Sequence, residues 1–138
     1  MKFLTLYGKE KAINPSKYII DWDGHSLSNF QFSVKQFFYP YWRGQIILEE
    51  CPLVGTKLRL DFLNITRNIA VEANGVQHNE YNKFFHGSSR AKYLAQIKRD
   101  VIKRKWCDKN KILLIEIDPE DIDDLCPEWF KEKYDICL

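Results

Sequence analysis

The segment Leu58–His78, LRLDFLNITRNIAVEANGVQH, constrains the fold more than any other part of the chain. Leu58, Leu60 and Phe62 alternate with Arg59 and Asp61, which predicts a strand with an apolar face and Asp61 on the opposite one. A turn at Asn64 to Arg67 leads into a second alternation, in which Ile69, Val71 and Ala73 interleave with Ala70, Glu72 and Asn74. Glu72 and Asn74 then share a face. A hairpin that sets this face beside Asp61 brings two carboxylates together at a sheet end, next to Gly75, Gln77 and His78. Mg²⁺ is typically held by one or two carboxylates, with water and phosphate oxygens completing its shell. Taken singly, Asp61 and Glu72 also read as ordinary solvent-facing strand acids.

At 138 residues, with 45% apolar and 14% aromatic residues, the chain can bury a core as one domain. This composition excludes a disordered chain. No apolar run approaches the ~20 residues of a membrane span, and MKFLTLYGKEKAINP has no signal-peptide pattern, so a cytoplasmic setting is expected. Cys51, Cys107, Cys126 and Cys137 lack C-x-x-C spacing and read as free thiols. The formal charge of +2 conceals an asymmetry: from Glu116 onward nine acids face only Lys131 and Lys133, a balance of −7 that leaves +9 on residues 1–115. Nine basic residues between Arg90 and Lys111, against Asp100 and Asp108, fit a nucleic-acid-binding surface or equally a solvated helix face.

Ser28 and Gln31 form a capping-box pattern opening a helix to about Tyr39, ended or kinked by Pro40, with Phe30, Val34, Phe37, Phe38 and Tyr41 on its core stripe. Strands are expected over Gln45 to Glu50, Lys57 to Phe62 and Asn68 to Ala73. His86 to Ser89 breaks the pattern, and Ser88 or Ser89 can cap a long helix through about Lys105. ILLIEI, Ile112 to Ile117, reads as a buried strand, reached by a crossover long enough for parallel pairing. Leu125, Trp129 and Phe130 mark a terminal helix. The expected class is α/β (α+β), with a mixed sheet of about four strands flanked by helices in the order α-β-β-β-α-β-α. It forms a single domain over 1–138, with a core of about 28–117 and an acidic segment 118–138.

That order, with an acid ending the second strand and another in the third, resembles the PD-(D/E)XK nuclease superfamily. The heptad EANGVQH, Glu72 to His78, is similar to the E-x-[DN]-G-x-Q-H signature of its branch related to very-short-patch repair (Vsr-like) and phage homing endonucleases. Arg99, Asp100, Lys103, Trp106, Cys107, Asn110 and the ILLIEI strand follow in that branch's order. The resemblance covers roughly Gln45 to Ile117 and implies a restriction-endonuclease-like core. It also implies a phage-borne enzyme in a bacterial host, a homing-type or nicking DNA endonuclease using Mg²⁺, with Mn²⁺ substituting. The metal ligands implied are Asp61, Glu72 and the Ala73 carbonyl. The wider catalytic set is Asp61, Glu72, Asn74, Gln77, His78, Asp100 and Lys103, with Lys98, Arg99, Lys103 and Arg104 as DNA contacts.

The sequence departs from the family at Asn74, where the usual residue is Lys; an amide offers neither a positive charge nor a titratable base. His78, whose ordinary pKa lies near ~6.5, is the nearest replacement. Asp100 shares a helical face with Gln96 and Lys103, so it is expected to orient His78 while Lys103 contacts the scissile phosphate. A divalent ion on Asp61 and Glu72 would supply an activated nucleophile and stabilise charge on the reacting phosphate. Trp42, Trp106, Tyr81, Phe84 and Phe85 are candidates to stack on bases, with core packing the rival reading. Gln31 falls where some relatives carry a helical Glu, and His25 and His86 have no assigned partner. A Holliday-junction or branched-DNA resolvase, or a silent DNA-binding protein of the same fold, are the alternatives, and a homodimer would allow double-strand cutting.

Overall fold

The computed structural model describes residues 1–74 and 87–138, with side chains described at 1–74 and 90–138. Two short strands, β1 (Lys2–Leu4) and β2 (Glu10–Ala12), form an antiparallel hairpin ahead of the region with clear sequence periodicity. Helix α1 (Asn29–Trp42) precedes β3 (Ile47–Pro52), β4 (Arg59–Asn64) and β5 (Ile69–Ala73). Helix α2 (Gly87–Lys109), β6 (Leu113–Ile117), a 3-10 segment (Pro119–Asp124) and α3 (Pro127–Tyr134) complete the chain. The main sheet has the order β3-β4-β5-β6, antiparallel except for the parallel β5–β6 pair that the α2 crossover permits. The protein is thus mixed α/β, a four-stranded mixed sheet with helices.

Each face of the sheet buries its own apolar cluster. On one side Val34, Phe38 and Trp42 of α1 and Phe130 of α3 pack over Ile47, Phe62, Ile69, Val71, Ile115 and Ile117. On the other, Trp106 and Cys107 of α2 pack over Leu48, Leu60, Leu63 and Ala70, with Phe3 of the hairpin against them. Asn110 clamps the hairpin to α2: its Oδ1 accepts from Leu4 N at 2.7 Å and its Nδ2 donates to Leu4 O at 2.9 Å. Among the described residues no helix is long and apolar enough to cross a membrane. Cys51, Cys107, Cys126 and Cys137 are all free thiols.

Several expectations need correction. Ser28 does cap α1, its Oγ accepting from Gln31 N at 3.0 Å, but Pro40 does not end the helix, which runs on to Trp42. A proline in mid-helix removes one hydrogen bond, and the stacking of Phe38 on Trp42, centroids 4.1 Å apart, holds the last turn regardless. Trp42, 1% exposed, takes the core position expected for Tyr41, which is 39% exposed. β6 lies at the sheet edge, so Leu113 is exposed and only part of the ILLIEI run is buried.

The regular alternation expected for Leu58 to Phe62 also fails. Leu60 joins the α2-side cluster while Phe62 joins the α1-side cluster. The same slip occurs in β3, where Ile47 and Cys51 belong to opposite clusters. Glu50, with φ 55°, sits between the pairs Glu49–Phe62 and Cys51–Leu60, and Asp61 faces it across the ladder. Both strands lose one beat at the same level, so the register survives while the side-chain phase reverses. A left-handed backbone at a non-glycine residue is costly and persists only where surrounding contacts hold it.

Those contacts come from a buried polar network that the sequence did not announce. Lys35, 1% exposed, donates to Asp21 O at 2.9 Å, Gly24 O at 2.8 Å and Glu49 Oε1 at 3.0 Å. Glu49 Oε2 also accepts from Ser26 Oγ and Gln31 Nε2, and Gln31 Nε2 reaches Glu50 Oε1 at 3.0 Å. The network ties the Asp21 to Gly24 turn, α1 and β3 together. Removing one partner of a buried pair strands the other charge. Lys35→Met should therefore lower unfolding free energy by roughly 3–5 kcal/mol, read from urea denaturation, whereas a loss below ~1 kcal/mol would mean the network contributes little.

Candidate active site

The β4–β5 ladder stops at Phe62–Val71. Beyond it the carboxylates themselves make the cross-strand bonds. Ala73 N donates to Asp61 Oδ2 at 2.7 Å, and Asp61 N donates to Glu72 Oε1 at 3.3 Å. The two acids predicted to converge are thus interlocked where the strands part. From α2, Lys103 Nζ donates to Glu72 Oε2 at 2.9 Å, forming an ion pair that is largely buried. The β5–β6 ladder runs on to Ala73–Ile117, and Asn74 N donates to Ile117 O, which fixes the floor of the site.

Burying these groups is unfavourable for their charged forms. Desolvation pushes the Asp61 carboxyl above its ordinary range, opposed by the Ala73 N–H and Lys103 and reinforced by the charge of Glu50. Desolvation likewise raises Glu72, with the Asp61 charge adding to it and Lys103 opposing. One ammonium therefore stands against a pair of carboxylates, with a third carboxylate, Glu50, close by. Such a pair suits a hard divalent cation completed by water or phosphate oxygens. Among the described residues no three His, Cys, Asp or Glu side chains gather as a metal cage; Asp61 and Glu72 are the two interlocked carboxylates that could ligate a cation. Lys103 stands at the carboxylate oxygen for which a cation would compete.

The remaining predicted residues fall unevenly around this centre. Asp100, 7% exposed, accepts from Gln96 Nε2 at 3.0 Å, and Gln96 Oε1 accepts from Arg99 Nη2 at 2.7 Å. The shared α2 face of Gln96, Asp100 and Lys103 is thereby partly realised, and Lys103 carries it to the acid pair. Gln77 and His78, and with them the expected Asp100–His78 contact, lie outside the described residues, as do Tyr81, Phe84, Phe85 and His86; the Ser88 and Ser89 side chains are likewise not described. Asn74 is half-buried at the end of β5. Arg104 is engaged by Glu116 through two bonds of 3.1 and 3.0 Å, which hold its guanidinium in a protein ion pair.

Lys98 stands about 140° around α2 from Lys103, given 3.6 residues per turn, and shares an outer face with Lys105 and Lys109. Arg99, four residues before Lys103, lies on the site's side of the helix. Trp42 and Trp106 are both core residues, 1% and 0% exposed, and present no surface to a base. Sequence reasoning missed Glu50. Its signal was the pair Glu49-Glu50 within one strand, which strict alternation assigns to opposite faces but which Gln31 Nε2 contacts together.

A pH dependence follows. Both acids hold protons more tightly folded than unfolded, so folding takes up protons, and stability falls as pH rises from the ordinary carboxylate range through the raised folded values. Asp61→Asn keeps an acceptor for Ala73 N–H and removes one charge. The metal-free variant should exceed wild type at pH 8 by on the order of 1–2 kcal/mol, with the gap closing near pH 4. Chemical denaturation at both pH values measures it, and an equal or less stable variant at pH 8 would contradict the electrostatic account.

Comparison with known proteins finds viral relatives. The chain is 41% identical over 66 residues to the uncharacterized protein 033L of Invertebrate iridescent virus 3, a match covering 48% of this chain and 34% of that protein. It is 39% identical over 66 residues to the uncharacterized protein 094L of Frog virus 3, covering 48% of this chain and 43% of that protein. The chain therefore spans less than half the length of these curated relatives. No family model matches the chain, and no solved structure matches it.

Proposed function

We propose that the chain is a divalent-metal-dependent DNA endonuclease of the PD-(D/E)XK type, with a restriction-endonuclease-like core formed by α1, the four-stranded sheet and α2. The observation that carries this reading is the interlocked Asp61–Glu72 pair, buried where β4 and β5 part and faced by Lys103. The EANGVQH heptad begins at one of those two acids, so the sequence resemblance and the geometry meet at the same residues. A viral setting suits the reading, since both relatives described above are viral proteins.

Asp61 and Glu72 would hold Mg²⁺ or Mn²⁺, with the Ala73 carbonyl as the family's backbone ligand; the cation supplies the activated nucleophile and charge stabilisation at phosphorus. Ala73 N–H fixes the orientation of Asp61, and Asp61 N–H fixes Glu72. Lys103 would take the place of the lysine absent at Asn74: its ammonium, held at Glu72 Oε2, would be available to a non-bridging phosphate oxygen once a cation shares that carboxylate. His78 and Gln77 remain candidates for proton transfer and positioning through the heptad resemblance alone. Arg99 is the favoured phosphate contact, because Lys98 faces away and Arg104 is engaged by Glu116. The rival, a DNA-binding protein without cleavage, draws on Asn74 and on the Lys103–Glu72 pair closing the site.

Supercoiled plasmid incubated with Mg²⁺ or Mn²⁺ should be nicked or linearised, and EDTA, Asp61→Ala and Glu72→Ala should each abolish cutting. Wild type that cuts neither plasmid nor four-way junctions with either metal, yet shifts DNA on a gel, would make it the binding protein. Arg99→Gln should weaken DNA binding and reduce the slope of log affinity against log salt by about 1. Lys98→Gln should leave the slope close to wild type, and the reverse pattern would misplace the DNA track.

A further inference from the structure

A cleft of about 410 Å³ opens between the Lys17 to Ile19 segment, the His25 to Leu27 loop and β3 at Glu49 and Glu50. Its volume lies within the roughly 300–1,000 Å³ of small-ligand clefts. The walls carry apolar surface that the fold leaves uncovered, with Ile19 54% and Leu27 77% exposed, and Tyr18 also lines the cleft. Glu49 is saturated by Lys35, Ser26 and Gln31. Glu50 is not: Oε1 accepts from Gln31 Nε2, and Oε2 has no hydrogen bond among the described residues. The φ of 55° at Glu50 accompanies a side chain that Gln31 holds on the cleft side. Lys17 supplies a cation at the rim.

The lining combines apolar surface at Tyr18, Ile19 and Leu27 with the carboxylates of Asp21, Glu49 and Glu50, the polar His25 and Ser26, and the ammonium of Lys17. Of these, the apolar surface suits a flat base face, the Glu50 oxygen a base edge and Lys17 a phosphate. We infer that this cleft receives an unpaired nucleotide next to the scissile phosphate and prefers a base with an exocyclic amine, which donates to Glu50 Oε2. A carboxylate accepts from the cytosine N4 amine and is repelled by a carbonyl oxygen at the same position. Leu27 and Ile19 cover the base face, and Lys17 contacts its phosphate. Asp61 faces Glu50 across the β3–β4 ladder, so a base edge held by Glu50 lies one strand away from the acid pair. This assignment rests on the nuclease reading for its choice of nucleic acid.

The test is fluorescence anisotropy with short labelled single strands of dC or dU, which differ in the base edge at C4 (amine against carbonyl) and N3 (acceptor against N–H donor) and not in size. It is run in Ca²⁺ to suppress cleavage and repeated in EDTA. Wild type should bind dC about fivefold more tightly than dU, the scale of a single base-edge contact. Glu50→Gln, whose amide can present either a donor or an acceptor, should bring the two affinities level. Leu27→Asp should weaken both strands together. Equal affinities in wild type, or a dC preference surviving in Glu50→Gln, would overturn the assignment. Because nothing is cut, the outcome is separate from the plasmid assay: a protein that nicks plasmid without discriminating dC from dU loses this subsite and keeps its nuclease assignment. One that discriminates and never cuts does the reverse.

Discussion

Burying two carboxylates against one ammonium is the constraint around which this structure is arranged. An isolated ionised carboxylate is strongly disfavoured away from water, and here Asp61 and Glu72 share one region. The sheet meets that cost locally. It gives up backbone pairing past Phe62–Val71 and turns the freed N–H groups of Asp61 and Ala73 onto the two acids. α2, long enough to carry the β5–β6 crossover, brings Lys103 down to Glu72. Among the described residues the two acids meet one ammonium, and both carboxyls are pushed above their ordinary range, an arrangement that recurs at functional sites.

The second arrangement supports the first. Where β3 passes Asp61, the backbone turns left-handed at Glu50 and both strands shift phase while keeping register. Strain at that point is held by Gln31 from α1, itself fixed at the helix N-terminus by Ser28. Lys35 and Glu49 anchor the neighbouring turn. Glu50, which lines the cleft, is thus one strand away from Asp61 at the same level of the sheet.

Much of this was legible in the residues. The alternation over Ile69 to Ala73, the Ser28 cap and the crossover to an apolar strand follow from short-range periodicity and capping chemistry, and the elements form where those signals place them. The convergence of Asp61 and Glu72 was legible because a hairpin leaves few ways to pair two acidic strands. What escaped prediction depends on contacts distant in sequence. The phase slip at Glu50 and Asp61 needs α1 and β3 together, and Lys35 reads as an ordinary surface lysine until three acceptors close around it. Pro40 obeys its local rule less than the Phe38–Trp42 stack opposes it. Lys103 was recognisable as a site residue only through resemblance, and its partner Glu72 lies 31 positions away in the chain.

The most direct test of the central claim is the position of Mn²⁺ by anomalous diffraction from crystals grown with the metal. A single peak bridging Asp61 and Glu72, with the Lys103 ammonium displaced from Glu72 Oε2, is the predicted result. Mn²⁺ bound elsewhere, or an acid pair that keeps its contact with Lys103 at saturating metal, would contradict the account.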